Sequence, residues 1–577
     1  MQDIGHEAAR NAPCEADPSP RPVVLITVYD WDSAVGVRRL YAALRQDGQP
    51  AMVIQFGISA PTPNTEEVLL FQCMDFDAPT WFNVPSPEDL DELAEHLRRL
   101  DPTLVGISVL SPSYQTCVRI TEVARRVTRA PVIWGGVHPT FAPEESLQDP
   151  GGPDAVVVGE GEEAMVDLAR LAAAGERDFS AVPNVATLRP DGTTRRNALR
   201  PLIRDLDSIG FFPFRSEDTL MVPRDARERA AARCVSEDLD NFTPRTIMTG
   251  LGCPYRCTFC FNEPLAQMYR GNGRYIRRKS VGRVIEECVH ARDVLGKRFV
   301  AFWDDIFSLD REWLEEFAAE YPRRVGVPYF CYFHPKHTDE SFIDLIVGSG
   351  CVSAVCGIQS GSQHFRAEYY HRFETDEEIL DSARKLNSRI DMTYDMIVDP
   401  PYEMEEHWRA NIELFLRFPT PFKIATNSFT YLPGCSITER ALRDGLIAQP
   451  ELTWKLADGF DPCNYLQARR TTRQANLYLL MVATQHGDAI ARDEIAAWMD
   501  DDVLLDDPLR LKQTISFRLY GKARRLYFQE RDARFRLERQ LARIALAQTS
   551  QPAAGRASAA PKGTSPAAAA GCREAAS

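Results

Sequence analysis

Three cysteines in one short loop, Cys253, Cys257 and Cys260 of Gly252-Cys-Pro-Tyr-Arg-Cys-Thr-Phe-Cys260, constrain this chain more than any other feature. The loop directly follows a strand-like run, Thr246–Gly250. Thiolates spaced CxxxCxxC can hold three irons of a [4Fe–4S] cluster, which leaves the fourth iron free to bind a substrate or cosubstrate. Clusters that only carry electrons usually take four cysteines. The same residues admit two other readings, buried core cysteines or a zinc knuckle. A zinc site wants a fourth ligand close by, whereas Cys288 and His290 come well downstream, across a predicted helix.

Past the loop the pattern is regular. Strand-like runs occupy Thr246–Gly250, Arg298–Phe302, Val327–Phe333, Cys351–Ile358, Met392–Val398 and Lys423–Tyr431. Helical patterns such as Val281–Leu295 and Arg311–Glu320 separate them. Six βα units predict a partial (β/α)6 TIM-like barrel, with the cysteine loop on the face where barrel active sites lie. Upstream, Val23–Val28 is a continuous apolar run, as a strand buried on both faces would be. Runs at Ala51–Phe56, Leu104–Leu110, Pro131–Gly136 and Ala155–Gly159 alternate with helical stretches. That alternation predicts an α/β, doubly wound, Rossmann-like domain whose ligands sit beyond the carboxyl ends of the strands. The expected partition is a disordered lead-in over 1–21, a first domain over 22–175 and a connector over 176–245 with a hairpin turn at Arg189–Gly192. The barrel then covers 246–435, a helical region 436–548 and a disordered tail 549–577.

Composition narrows the class. A chain of 577 residues exceeds one ordinary domain. Its net charge of −15 gives no electrostatic footprint for nucleic acid. No run of 18 apolar residues predicts a membrane span, and the lead-in lacks the apolar core of a signal peptide. The 14 cysteines are dilute, and Cys331, Cys351 and Cys356 sit inside apolar runs, so a reducing cytoplasm is expected rather than a disulfide framework.

With Phe259 just before its last cysteine, the loop resembles the signature of the radical S-adenosylmethionine (SAM) enzymes. The resemblance implies that the open iron chelates the amino and carboxyl groups of SAM, and that an electron from the cluster cleaves SAM to a 5′-deoxyadenosyl radical. Phe302–Phe307, Gly357–Ser362, Tyr394–Glu403 and Tyr431–Gly434 resemble that family's barrel motifs in order and spacing. By this likeness Phe259 lies near the adenine, and Gln359 and Ser360 near the ribose. Asp304 or Asp305 lies near the SAM amino group or the substrate, and Ile397 and Val398 offer backbone contacts to adenine. Leu251 stands where the family often has Arg.

Gly106-Ile-Ser-Val-Leu110, Ile133-Trp-Gly-Gly-Val-His-Pro-Thr140 and Val158-Gly-Glu-Gly-Glu162 resemble the cobalamin-binding domain of the B12-dependent radical SAM enzymes, a likeness that runs over about residues 23–435. It implies that Ser108, Leu110, Gly135 and Gly136 cradle the cobalamin nucleotide tail, with His138, Pro139, Thr140, Gly159, Glu160, Gly161 and Glu162 around it. The Asp-x-His-x-x-Gly of cobalamin mutases is missing; Tyr29-Asp-Trp-Asp-Ser-Ala-Val-Gly36 has no histidine. The implied cobalamin is base-off and has no His on its lower face. Tyr29, Trp31 or Val35 would pack beneath the ring, and His138 would fix its loop rather than bind cobalt. The expected activity is methyl transfer from SAM, through methylcobalamin, to an unactivated carbon of a small-molecule or natural-product intermediate. The same architecture also serves non-methylating radical cyclisation, ring contraction or rearrangement, and a non-catalytic cobalamin or redox sensor is the reading from another class. The expected partners are a small-molecule substrate and a flavodoxin- or ferredoxin-type electron donor, with no nucleic acid and no membrane, for a monomeric protein.

Overall fold

Two sheets organise the chain in the computed structural model, which describes residues 21–28, 34–56, 85–210, 218–222, 245–307, 309–448 and 470–519. The first has eight strands in the order β7-β6-β5-β4-β3-β1-β2-β8. These are β1 (Val23–Thr27), β2 (Ala51–Phe56), β3 (Leu104–Ser108), β4 (Val132–Gly135), β5 (Ala155–Val157), β6 (Val185–Leu188), β7 (Thr194–Arg196) and β8 (Thr219–Val222). Every residue of β1 is buried, because helices cover both faces of the central strands. β1 to β5 and β8 pair in parallel. β6 and β7 form an antiparallel hairpin on the edge, closed where the Arg189 N–H meets the Thr193 carbonyl at 2.8 Å.

The stretch expected as a connector is therefore partly sheet. Its hairpin extends one edge, and β8 extends the other beside β2. Polar Thr194-Arg-Arg196 on the outer strand blunts that edge against further pairing.

The second sheet has six parallel strands in chain order, from β9 (Arg245–Ile247) through β12 (Val300–Phe302), β13 (Tyr329–Phe333), β14 (Cys351–Gln359) and β15 (Asp391–Val398) to β16 (Lys423–Ser428). β9 and β16 are its two edges, so the barrel is open. Burial alternates along β13 and β15. Outward residues such as Phe302 pack under helices against Phe307, Phe317 and Tyr329. Inward residues stay partly accessible, which makes the inner face a lumen rather than a packed core. Between β9 and β12 a short ribbon pairs β10 (Gly250–Leu251) with β11 (Arg277–Arg278).

The two sheets are fastened together near the cysteine loop. Tyr269, at the end of helix Asn262–Met268, is fully buried and accepts a hydrogen bond from the Glu160 N–H at 3.0 Å. A Cβ on Gly159 would lie 2.0 Å from that phenol oxygen, so the approach requires glycine. Arg277 pairs with Glu160 at 2.8 Å and donates to the Ile203 carbonyl. C-terminal to the barrel, helix Thr472–Ala483 packs on helix Glu405–Leu416, and Arg470 forms a bidentate pair with Asp399. No helix among the described residues is long and apolar enough to cross a membrane.

Candidate functional site

The cysteine loop leaves the barrel at a turn that only glycine tolerates. Gly252 has φ +88°, and a Cβ there would meet the Tyr275 carbonyl at 2.5 Å. Asp304, at the end of β12, holds the approach to this turn. Its buried carboxylate accepts from the Thr249 hydroxyl at 2.8 Å, the Thr249 N–H at 3.2 Å and the Gly250 N–H at 2.6 Å. These bonds occupy Asp304 with the backbone, so it positions the loop. Its neighbour Asp305 points elsewhere and accepts from Asn262 Nδ2 at 2.8 Å. The same amide nitrogen lies 3.6 Å from Cys260 Sγ, and Tyr275 donates to Asn262 Oδ1. Burial raises the Asp305 carboxyl above its ordinary range.

Further contacts fix the rest of the loop. Tyr255 stacks on His334 with ring centroids 4.1 Å apart and meets His337 Nε2 at 3.1 Å. Thr258 donates through its hydroxyl to the Tyr369 carbonyl, and its N–H reaches the Tyr370 carbonyl at 3.3 Å. Phe259 packs edge-on against Tyr370 at 4.7 Å. Burial pushes the Cys253 and Cys260 thiols up to about 12 and also raises Cys257. Bare thiols would stay protonated; bound iron supplies the positive charge that favours thiolates. Among the described residues no three His, Cys, Asp or Glu side chains converge on one point as a single-ion site requires.

The sequence reading missed one charged pair. Arg372 and Glu374 are buried and hydrogen-bonded to each other. Arg372 also donates to the Gly357 carbonyl at 2.7 Å and to the Cys257 thiol. Its cation therefore sits where it favours a thiolate. Only a buried acidic partner within two residues could have flagged it, and His371-Arg-Phe-Glu374 reads as an ordinary charged loop.

Gln359 ends β14 at φ +71°, beside a break in the β14–β15 register, and folds its amide over Gly357. Ser360 is buried and accepts from the Ser362 N–H at 3.2 Å, within a turn anchored on Asn411. Ile397 faces the lumen. Val398 is in the core, and its carbonyl accepts from the Phe429 N–H at 2.8 Å.

A cavity of about 340 Å³ lies between the two sheets. Strand ends of the first sheet supply Ser108, Gly135, Gly136, Thr140, Gly159, Glu160, Gly161 and Glu162; the cysteine-loop side supplies Leu251, Gly252, Asn262 and Asp305. Most of the wall is apolar. A Cβ on Gly106 would come within 3.0 Å of Leu25 and Met165, so the floor is already as tight as a bare backbone allows. This wall suits a flat, largely apolar macrocycle with a tail threaded between strands. Its glycines leave the strand ends bare, and Glu160, Glu162 and Thr140 add polar groups to the wall.

Leu110, His138 and Pro139 do not line this cavity, although the resemblance grouped them with it. His138 is fully buried behind it, 3.0 Å from the Ser111 hydroxyl and packed on Tyr114. Helix Val137–Phe141 starts at Gly136, φ +106°, and turns Val137, Thr140 and Phe141 toward the cavity and His138 and Pro139 away from it. Val35 lines a smaller hollow next to Met248, whereas Tyr29 and Trp31 fall outside the described residues. His138→Ala should therefore leave the electron paramagnetic resonance spectrum of bound cob(II)alamin unchanged. It should cost about 1–3 kcal/mol of stability through the lost buried hydrogen bond. Nitrogen splitting present in wild type and lost in this variant would mean that His138 reaches cobalt.

Comparison with known proteins adds two family matches. Residues 23–169 match the B12 binding domain and residues 247–415 the Radical SAM superfamily, together more than half of the chain. An uncharacterized methyltransferase, PH0819 of Pyrococcus horikoshii, is 24% identical over 381 residues, covering 65% of this chain and 77% of that protein. An anaerobic magnesium-protoporphyrin IX monomethyl ester cyclase of Rubrivivax gelatinosus is 27% identical over 283 residues, covering 47% and 46%. The cobalamin-dependent SAM radical enzyme OxsB, solved with aqua-cobalamin and SAM, superposes with a TM-score of 0.56 at 12% identity, covering 89% of this chain and 81% of that one.

Proposed function

We propose that this chain, which belongs to the cobalamin-dependent radical SAM enzymes and uses a [4Fe–4S] cluster, SAM and cobalamin, transfers a methyl group to an unactivated carbon of a small-molecule substrate. One observation carries the reading: a single cavity is walled by the glycine-rich strand ends of the first sheet and by the cysteine loop of the second. When bound, the cluster and SAM supply a 5′-deoxyadenosyl radical, and cobalamin carries the methyl group. An unactivated carbon has no lone pair with which to attack a methyl cation, so radical formation must come before transfer.

The protein's own residues prepare this meeting. Cys253, Cys257 and Cys260 hold the cluster on a loop clamped by Asp304, Tyr255 and Thr258. Arg372 places a cation beside Cys257. Phe259, Gln359 and Ile397 line the path proposed for SAM, while Ser108, Gly135 and the Gly159–Glu162 turn hold cobalamin. The longer alignment to a methyltransferase than to the cyclase supports methylation. The reduced cluster requires an external low-potential electron donor.

The test uses SAM labelled in its methyl group, a reductant, and fractionated metabolites from the producing cell. Methylation transfers the label intact to a product and forms both 5′-deoxyadenosine and S-adenosylhomocysteine. The cyclase relative favours a second outcome, 5′-deoxyadenosine with an unlabelled, rearranged product. A reconstituted protein that leaves SAM uncleaved would be a sensor instead.

A further inference from the structure

Asp395 is the one carboxylate inside the upper barrel lumen that no described residue satisfies. It lies on β15, paired between Gly357 of β14 and Ala425 of β16. Those neighbours share its inward face and carry almost no side chain, so the carboxylate stands in a hollow. Its own face of β15 stays partly accessible while Tyr394 and Met396 on either side are buried outward. The other carboxylate on this face of the strand, Asp391, is exposed at its start and paired with Lys423 at 2.7 Å. Beyond the strand, Asp399 is taken up by Arg470. Asp395 has no such partner.

We propose, on the reading above that this is a radical SAM methyltransferase, that Asp395 is the substrate-positioning residue of the lumen and that it selects a substrate bearing a cationic nitrogen, an ammonium or guanidinium. A buried carboxylate without a counter-ion is costly, and the least costly remedy is a ligand that brings the opposite charge. Burial alone pushes the Asp395 carboxyl up to about 7, so near neutrality it is poised between its two forms. A cation shifts it to the anion; a substrate carboxylate would be repelled.

The groups around it leave that role open. Tyr332 on β13 is the ionisable side chain across the lumen, and burial keeps its phenol protonated. Cys356 on β14 faces outward, and its thiol is raised to about 12. Arg372 approaches Gly357, but its charge is met by Glu374. His334 is stacked under Tyr255 and lowered to about 2 by burial, so it adds no charge. On β16 the level of Asp395 is Ala425.

The test uses the protein loaded with cluster and cobalamin and three matched probes: n-butylammonium, n-butanol and butyrate at equal concentration. Only n-butylammonium should raise the unfolding midpoint at pH 8. Its apparent affinity should fall roughly tenfold per pH unit below about 7, as protonation removes the anion. Asp395→Asn should erase both the preference and the pH dependence while SAM affinity stays the same. Asp391→Asn should keep both. Equal protection by n-butanol, or a pH-independent ammonium response in wild type, would overturn the proposal. So would a loss of SAM affinity in Asp395→Asn, which would place Asp395 in the SAM site. Failure of wild type to cleave SAM would sink the functional reading alone, because the probe response does not need turnover.

Discussion

Replacing Cys253, Cys257 and Cys260 together by alanine should abolish iron and sulfide binding while the fold survives. Anaerobically reconstituted wild type should hold about four irons and four sulfides, and the triple variant close to none. The fold should persist because the loop does not depend on its thiols. Asp304 holds the Thr249–Gly250 backbone, Tyr255 is stacked on His334, and Thr258 is tied to Tyr369 and Tyr370. Two of the three cysteines are only half-buried, so truncation removes little packing. Circular dichroism separates cluster loss from unfolding. A full iron complement in the triple variant would move the cluster elsewhere, and Cys435, close enough to Cys260 to feel its charge, would be one thiol to replace next.

The central strands of the first sheet were legible because parallel strands covered on both faces are written as apolar runs, and those of the second because they recur between helical patterns. β6 to β8 were not. They are short, lie at the edges and carry polar residues such as Thr194-Arg-Arg196, so they look like the connector around them. The cysteine loop announced itself through chemistry that few other arrangements use. Asp304 and Asp305 show the limit of a motif. Neighbouring carboxylates at a strand end project in different directions, and sequence cannot tell which one reaches Thr249 and which one Asn262. Arg372 and Glu374 were invisible for another reason: only the folded path of the chain after β14 brings them under Cys257. Asp395 lies inside the motif Tyr394–Glu403, but its isolation depends on Gly357 and Ala425 of neighbouring strands, and that is a property of register.

Gly135→Trp should prevent cobalamin uptake and leave the iron content unchanged. The choice between the two adjacent glycines is decided by backbone geometry. Gly136 has φ +106°, and a Cβ there would lie 2.7 Å from the Val109 carbonyl, so any side chain at 136 strains the sheet before it meets a ligand. A Trp at 136 would therefore confuse blockage with misfolding. Gly135 ends β4 in extended backbone, and its Cβ would find only Val157 at an ordinary 3.8 Å. The position lines the cavity between the two sheets, so an indole there fills space that the proposed tail of cobalamin needs, at little cost to the fold. Gly135→Ala provides the graded control. Its methyl fits beside Val157, so uptake should weaken rather than vanish. Cobalamin bound per chain, read from its visible absorbance after gel filtration, should drop at least tenfold for the Trp variant, equivalent to about 1.4 kcal/mol or more. The cysteine loop belongs to the other sheet and shares only the far wall of the cavity, so the iron signal should be untouched. Normal loading in Gly135→Trp would place cobalamin away from the carboxyl ends of the first sheet and would remove the shared cavity as the support for methyl transfer.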